Sequence, residues 1–215
     1  MQVFILVTVA WIFSVCLHEF GHAAVAYQGG DTTVKDKGYL TLNPIHYTHP
    51  VYSLLMPLVF LFLGGIGLPG GAVYINDSLL RSRGWRTATS LAGPFMNLVL
   101  ILLLCLPFWA GVIDDRFGPA LAFLIQLQIC AVIFNLLPIP PLDGFHALAP
   151  WLPAELRVRL FAQANTFLLV LILLLWYVPP ANNAFWGLVY GLSDRLGIDS
   201  SMAAQGWNEF RFWRH

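Results

Sequence analysis

Two histidines and a glutamate fall within five residues, His18-Glu19-Phe20-Gly21-His22, inside an otherwise apolar run. In a helix each residue turns about 100°, so His22 lies about 40° round from His18 and both imidazoles share one face. Imidazoles at i and i+4 with a glutamate after the first are the residues a zinc hydrolase needs: two nitrogen ligands and a carboxylate that takes a proton from water. The run that carries them, 3–27, is long enough to cross a bilayer. Three ionisable groups there are costly without compensation. The non-catalytic alternative is a buried polar cluster that helps helices pack. Cys16 lies about 200° round the helix from His18, so it is poorly placed as a further ligand.

A catalytic zinc ordinarily takes three protein ligands and a water, so a further donor is needed. Of the eleven acidic residues, most stand in polar loops or near the C-terminus: Asp31, Asp36, Asp77, Asp114, Asp115, Glu155, Asp194, Asp199 and Glu209. Asp143 differs. It follows an apolar span, comes after Pro138, Pro140 and Pro141, and precedes Gly144. An ionisable group held at membrane depth by broken backbone is a functional candidate. The alternative is an N-cap acid opening the next helix.

The elements that must position these groups are membrane helices. The 215 residues are 58% hydrophobic and 10% charged, with a mean hydropathy of +0.71. Soluble domains are about 45–50% apolar and about 25% charged, so the composition is that of an integral membrane protein in a lipid bilayer. Net charge is zero and no basic cluster suggests nucleic acid, which is excluded as a partner. Cys16, Cys105 and Cys130 lie in apolar runs and read as packing residues. The N-terminal run has no basic leader and continues through His22 without a small-residue cleavage site, so it reads as a retained helix.

Spans are expected at 3–27, 88–110, 118–137 and 162–178. Segment 51–75 is apolar but broken by Pro57, Gly64, Gly65, Gly67, Pro69, Gly70 and Gly71, and reads as a membrane-dipping hairpin or kinked helix. Alternating Tyr39-Leu-Thr-Leu before Asn43-Pro44 suggests a short extended element. If 51–75 dips without crossing, Lys35, Lys37, Arg81, Arg83, Arg86, Arg157 and Arg159 share one side. The positive-inside rule makes that side cytoplasmic and sets His18 and His22 toward it. The fold expected is an all-α polytopic membrane protein with about four spanning helices, the broken dipping segment and the extended piece. Residues 1–180 form the core and 181–215, rich in Trp and Arg, an interfacial tail.

His18-Glu19-x-x-His22, then Ala92-Gly93-Pro94-x-x-Asn97, then Asn135-x-x-Pro138-x-Pro140-Pro141-x-Asp143-Gly144 resembles the site-2 protease family of intramembrane zinc metalloproteases. The first motif alone recurs in unrelated proteins; joined to the proline-rich Asp-Gly motif on a later span it is specific. The resemblance implies that His18, His22 and Asp143 bind one zinc ion per chain and that Glu19 activates water. It implies that Asn135 orients substrate or helps stabilise the oxyanion. It implies a transmembrane protein substrate cut within or next to its helix, in a prokaryotic cytoplasmic membrane. The sequence departs from some members in having no helix before the first motif and no room for a PDZ domain, as in a compact prokaryotic branch. Oligomeric state stays open.

Other polar residues read more plainly. Asn97 and Gly93-Pro94 suit close helix packing. His46 and His49 suit a solvated loop or a second metal site. His146 suits a first-turn helix position or a partner to the metal ligands. Either 51–75 or residues 39–42 could offer an edge to an unwound substrate. The rival function is a non-catalytic scaffold that keeps the metal structurally, or a metal carrier.

Overall fold

A computed structural model describes residues 1–43 and 73–214. His46, His49 and the dipping segment apart from residues 73–75 lie outside them. The described residues are helical, with no strand among them. Residues 39–42, expected to be extended, are turn and bend. Leu42 there is exposed and Tyr39 is buried with Ala23, Ala26 and Val34, so packing decides the local conformation.

Helix α1, Gln2–Gly29, runs unbroken for 28 residues, about 42 Å at 1.5 Å per residue. It stops at Gly30, which takes φ +120°, a conformation costly for residues with a Cβ. The N–H groups of Gly30 and Asp31 then bond the carbonyls of Tyr27 and Ala26. Helix α2, Arg83–Trp109, opens on Ser82, whose hydroxyl accepts from the Trp85 N–H. Both helices leave apolar side chains exposed, among them Ile5, Val9 and Phe13 on α1 and Phe95, Leu98 and Leu102 on α2. Such faces suit lipid rather than water.

Helix α3, Gly118–Asn135, is different. Sixteen of its eighteen residues are buried, so an all-round apolar sequence here marks the centre of the bundle. It packs against α1 and α2. Within the α1–α3 contact, Gln128 Nε2 donates to Ser14 Oγ at 2.9 Å, and Ser14 Oγ donates to the Trp11 carbonyl at 2.7 Å. Ser14 lies one turn before His18 on the same face, so this polar link fixes how α1 is rotated.

Helix α4, Asp143–Leu148, follows the proline-rich turn, and α5, Ala154–Ala162, leads to α6, Ala164–Tyr177. Helices α1, α2 and α3 are long and apolar enough to cross a membrane. The fourth span expected, over 162–178, corresponds to α6 save at its ends. Helix α6 alone is about 21 Å long, short of a hydrocarbon core of about 30 Å. It meets the length only together with α5, from which it bends by 60°. Among the described residues the candidate spans are therefore three, or four if that bent pair counts as one.

Residues 181–215 form most of α7, Pro179–Arg195, and all of α8, Ser200–Phe210. Helix α7 buries Phe185 and Val189, and α8 buries Ala203, Gly206 and Phe210. Both pack on α3, and Phe210 joins Val3, Val7, Trp11 and Phe123 in one cluster. Gly206 lets α8 touch the start of α3: a Cβ there would overlap the Pro119 carbonyl. Gly206→Val is therefore expected to cost about 1–3 kcal/mol by overpacking. Gly187→Ala, on α7 with open space beside it, should be neutral or stabilising by up to about 1 kcal/mol. Thermal unfolding in detergent measures both.

Candidate metal centre

Helices α1 and α2 cross with matched stripes. His18 and His22 lie at i and i+4 on α1, and Thr89, Gly93 and Asn97 lie at i, i+4 and i+8 on α2, all buried. His18 Nδ1 bonds Asn97 Oδ1 at 3.3 Å, and His22 Nδ1 bonds the Thr89 carbonyl at 2.7 Å. The pairing of 18 with 97 and 22 with 89 makes the helices antiparallel. Gly93 falls between the two pairs, and a Cβ on it would overlap both Nε2 atoms. Gly21 does the same on α1, where a Cβ would come 2.8 Å from the Ala92 carbonyl. Two glycines thus let the backbones approach and leave room for two imidazoles.

These contacts set the chemistry of the rings. A carbonyl oxygen only accepts, so His22 Nδ1 carries the proton and its Nε2 presents a lone pair. Asn97 Oδ1 asks the same of His18. The two Nε2 atoms lie 3.1 Å apart. Two lone pairs at that distance repel unless a cation or proton lies between them.

Asp143 joins from the far side. Its Oδ2 is 3.2 Å from His18 Nε2 and its Oδ1 is 3.4 Å from His22 Nε2. The N-cap of α4 is Leu142, and no side chain caps the helix, so the Asp143 carboxylate faces the imidazoles rather than its own helix end. Gly144 is pressed against the carbonyls of Leu136 and Leu137, where a Cβ would not fit. Further along, Thr87 Oγ donates to the Ala147 carbonyl at 2.7 Å and accepts from Trp151 Nε1 at 2.9 Å, which ties α4 to α2. These contacts return the chain after α3 to α1.

The donor set fits zinc. One atom from each of His18, His22 and Asp143 lies within 4.8 Å of the others. A tetrahedral shell with bonds of about 2.0–2.1 Å has edges of about 3.3 Å. The separations of 3.1, 3.2 and 3.4 Å match those edges. Both histidine side chains are almost closed off, whereas that of Asp143 is 19% exposed, so the centre opens on its carboxylate side.

Glu19 is buried, and its Oε2 accepts the backbone N–H of Val73 at 3.1 Å. Asn135 is buried at the end of α3, next to Leu136, and its Nδ2 has no partner among the described residues. His146 instead turns its ring to Phe161, with centroids 5.0 Å apart. Asn97, read from the sequence as packing, also holds the His18 ring. Asp31, read as a loop acid, is fully buried. Nothing local in the sequence distinguishes Asp31 from its loop neighbours.

Over 98% of its length the chain is 45% identical to "Putative zinc metalloprotease Rip2" of Mycobacterium tuberculosis, covering 82% of that protein. It is 46% identical to the protein of the same name from Mycolicibacterium smegmatis, with the same coverage. It is 30% identical to "Putative zinc metalloprotease YwhC" of Bacillus subtilis over 86% of each chain. No family model matches, and no solved structure matches significantly.

Asn97→Leu should leave His18 Nδ1 without its acceptor and weaken zinc binding about 10–100-fold, the usual loss when a ligand's outer partner goes. Gly93→Ala should abolish binding while the helical content stays. Zinc titration against a competing chelator, with circular dichroism, measures both.

Proposed function

The chain belongs to the site-2 protease family of zinc metalloproteases, and we propose that it is an endopeptidase that cuts a peptide bond within or next to a substrate's transmembrane helix. The observation that carries this reading is the meeting of two imidazole lone pairs and one carboxylate inside a bundle of apolar helices. His18, His22 and Asp143 would hold one zinc ion. When bound, zinc supplies Lewis-acid chemistry, acidifying water and polarising a peptide carbonyl.

The remaining work falls to the chain. Glu19 follows a ligand directly on α1 and takes the proton from the attacking water, then returns it to the leaving nitrogen. A structural zinc site has no need of that carboxylate. With Oε2 held by Val73, Oε1 keeps its lone pairs for the transfer. Asn97 and Thr89 keep the imidazoles in the tautomer that offers Nε2. Asn135 Nδ2, buried and without a partner among the described residues, donates to the substrate carbonyl or its oxyanion.

A helical substrate hides its carbonyls in its own hydrogen bonds, so it must unwind before it can be cut. The partly open Asp143 side supports entry there. The basic loops on the side toward which His22 points support a cytoplasmic-facing centre in a bacterial membrane, with regulated intramembrane proteolysis as the activity.

Glu19→Gln should keep one zinc per chain and lower cleavage of a dye-labelled, leucine-rich transmembrane peptide broken by Asn and Gly by at least about a thousandfold. Asp143→Asn and His22→Ala should lose zinc and cleavage together. Metal analysis and fluorescence in vesicles read both; a Glu19→Gln protein that still cuts would refute the assignment.

A further inference from the structure

Asp31 is the one carboxylate among the described residues with no exposed surface. It stands just past the end of α1 and is saturated by its own chain. Its Oδ1 accepts from the Thr33 N–H at 3.1 Å and the Thr33 hydroxyl at 2.6 Å, and its Oδ2 accepts from the Asn76 N–H at 2.7 Å. Burying a carboxylate is expensive, and short charge-assisted bonds are what make it tolerable. Two of the three bonds close a local turn. The third reaches a distant segment and pins it.

That segment, residues 73–81, lies along the end of α1 and is held at several points. Lys37 Nζ donates to the Tyr74 carbonyl at 2.9 Å, and the Arg81 N–H donates to the Gly29 carbonyl at 3.0 Å. Asn76 is itself shaped by accepting from the Ser78 N–H and hydroxyl on its Oδ1. At the opposite end, one bond leaves the strap for the centre: the Val73 N–H to Glu19 Oε2. Three residues reach at most about 11 Å, so little slack separates the two carboxylates that this strap connects. Helix α1 joins them rigidly along the other side. The result is a closed frame with Asp31 at one corner and Glu19 at the other.

We propose that Asp31 is a positioning residue for the Glu19 carboxylate, acting through the backbone of residues 73–76. The proposal rests on the reading of Glu19 as the proton carrier. A carboxylate free to rotate about its side-chain torsions presents the wrong oxygen or angle for much of the time, and small misplacements are expensive in turnover. Asp31 touches neither metal ligand nor substrate, so it bears on kcat rather than on zinc or on substrate binding.

The substitutions separate this role from plain support of the fold. Asp31→Asn keeps one oxygen but replaces the other by an N–H donor, so Thr33 and Asn76 cannot both be served. Thr33→Val removes only the local hydroxyl bond. Val73→Pro removes the N–H that Glu19 accepts and leaves Asp31 alone. Full-length protein in vesicles, with the peptide named above, is assayed for kcat, KM and zinc content. Amide exchange across residues 73–76 is followed by mass spectrometry in metal-free protein.

Asp31→Asn is expected to lower kcat about tenfold or more, with KM within about twofold and zinc unchanged, and to speed exchange at residue 73. Thr33→Val should match the parent protein. Val73→Pro should show the same kcat loss, and the double variant should be no worse than Val73→Pro alone, because both act through one contact. Fast exchange with normal kcat in Asp31→Asn would overturn the proposal, as would losses that multiply in the double variant. If Asp31→Asn does not fold, Val73→Pro with full kcat overturns it equally. A Glu19→Gln protein that still cuts removes the premise instead, and that result is read on a different variant.

Discussion

The structure depends on the hydrogen bonds at the outer nitrogens of two rings. Asn97 and the Thr89 carbonyl fix His18 and His22 by Nδ1, which leaves two Nε2 lone pairs facing each other at 3.1 Å in an apolar bundle. Two such lone pairs repel when nothing lies between them. A proton or a cation between the nitrogens relieves the repulsion, so the arrangement suits a metal ion. It requires α1 and α2 to be close, and closeness requires Gly21 and Gly93. Larger residues at either position would separate the helices or fill the space the donors need.

The third donor arrives by a different route. Helix α3 is buried on all sides, so its ends are fixed by the whole bundle rather than by one neighbour. The turn that follows must reverse direction within a few residues, and prolines do this without leaving many N–H groups to satisfy. Gly144 then seats against Leu136, and the short α4 brings the Asp143 carboxylate back to α1. Helices α7 and α8 reinforce this by packing on α3. Residues far from the motifs in sequence therefore hold the scaffold that places Asp143. The strap on Glu19 adds a second frame, built on a buried carboxylate rather than on apolar packing.

Part of this was readable from residue types alone. Helical periodicity sets His18 and His22 on one face whatever surrounds them, because i and i+4 are neighbours by backbone geometry. The length and hydropathy of α1, α2 and α3 are those that crossing a bilayer with every backbone group bonded requires. Asp143 stood out because prolines and glycine around an acid after an apolar run leave few structural explanations. The expected extended piece at residues 39–42 failed for a general reason: β-propensity describes fit to a sheet, and without a partner strand alternation carries little force. The span expected over 162–178 coincides with α6 save at its ends, and what the sequence did not show is the 60° bend that sets α6 off from α5.

What the sequence by itself determined was the inventory of donors and the helices that bear them, since both depend on local spacing and transfer into lipid. Only the tertiary structure decided that Asp143 comes within reach of the imidazoles, which nitrogen each ring presents, and that Asn97 and Asp31 do more than pack or face water. Those are contacts between residues from 45 to over a hundred positions apart. No local propensity encodes such meetings; the packing of α1 against α2, and of both against α3, creates them.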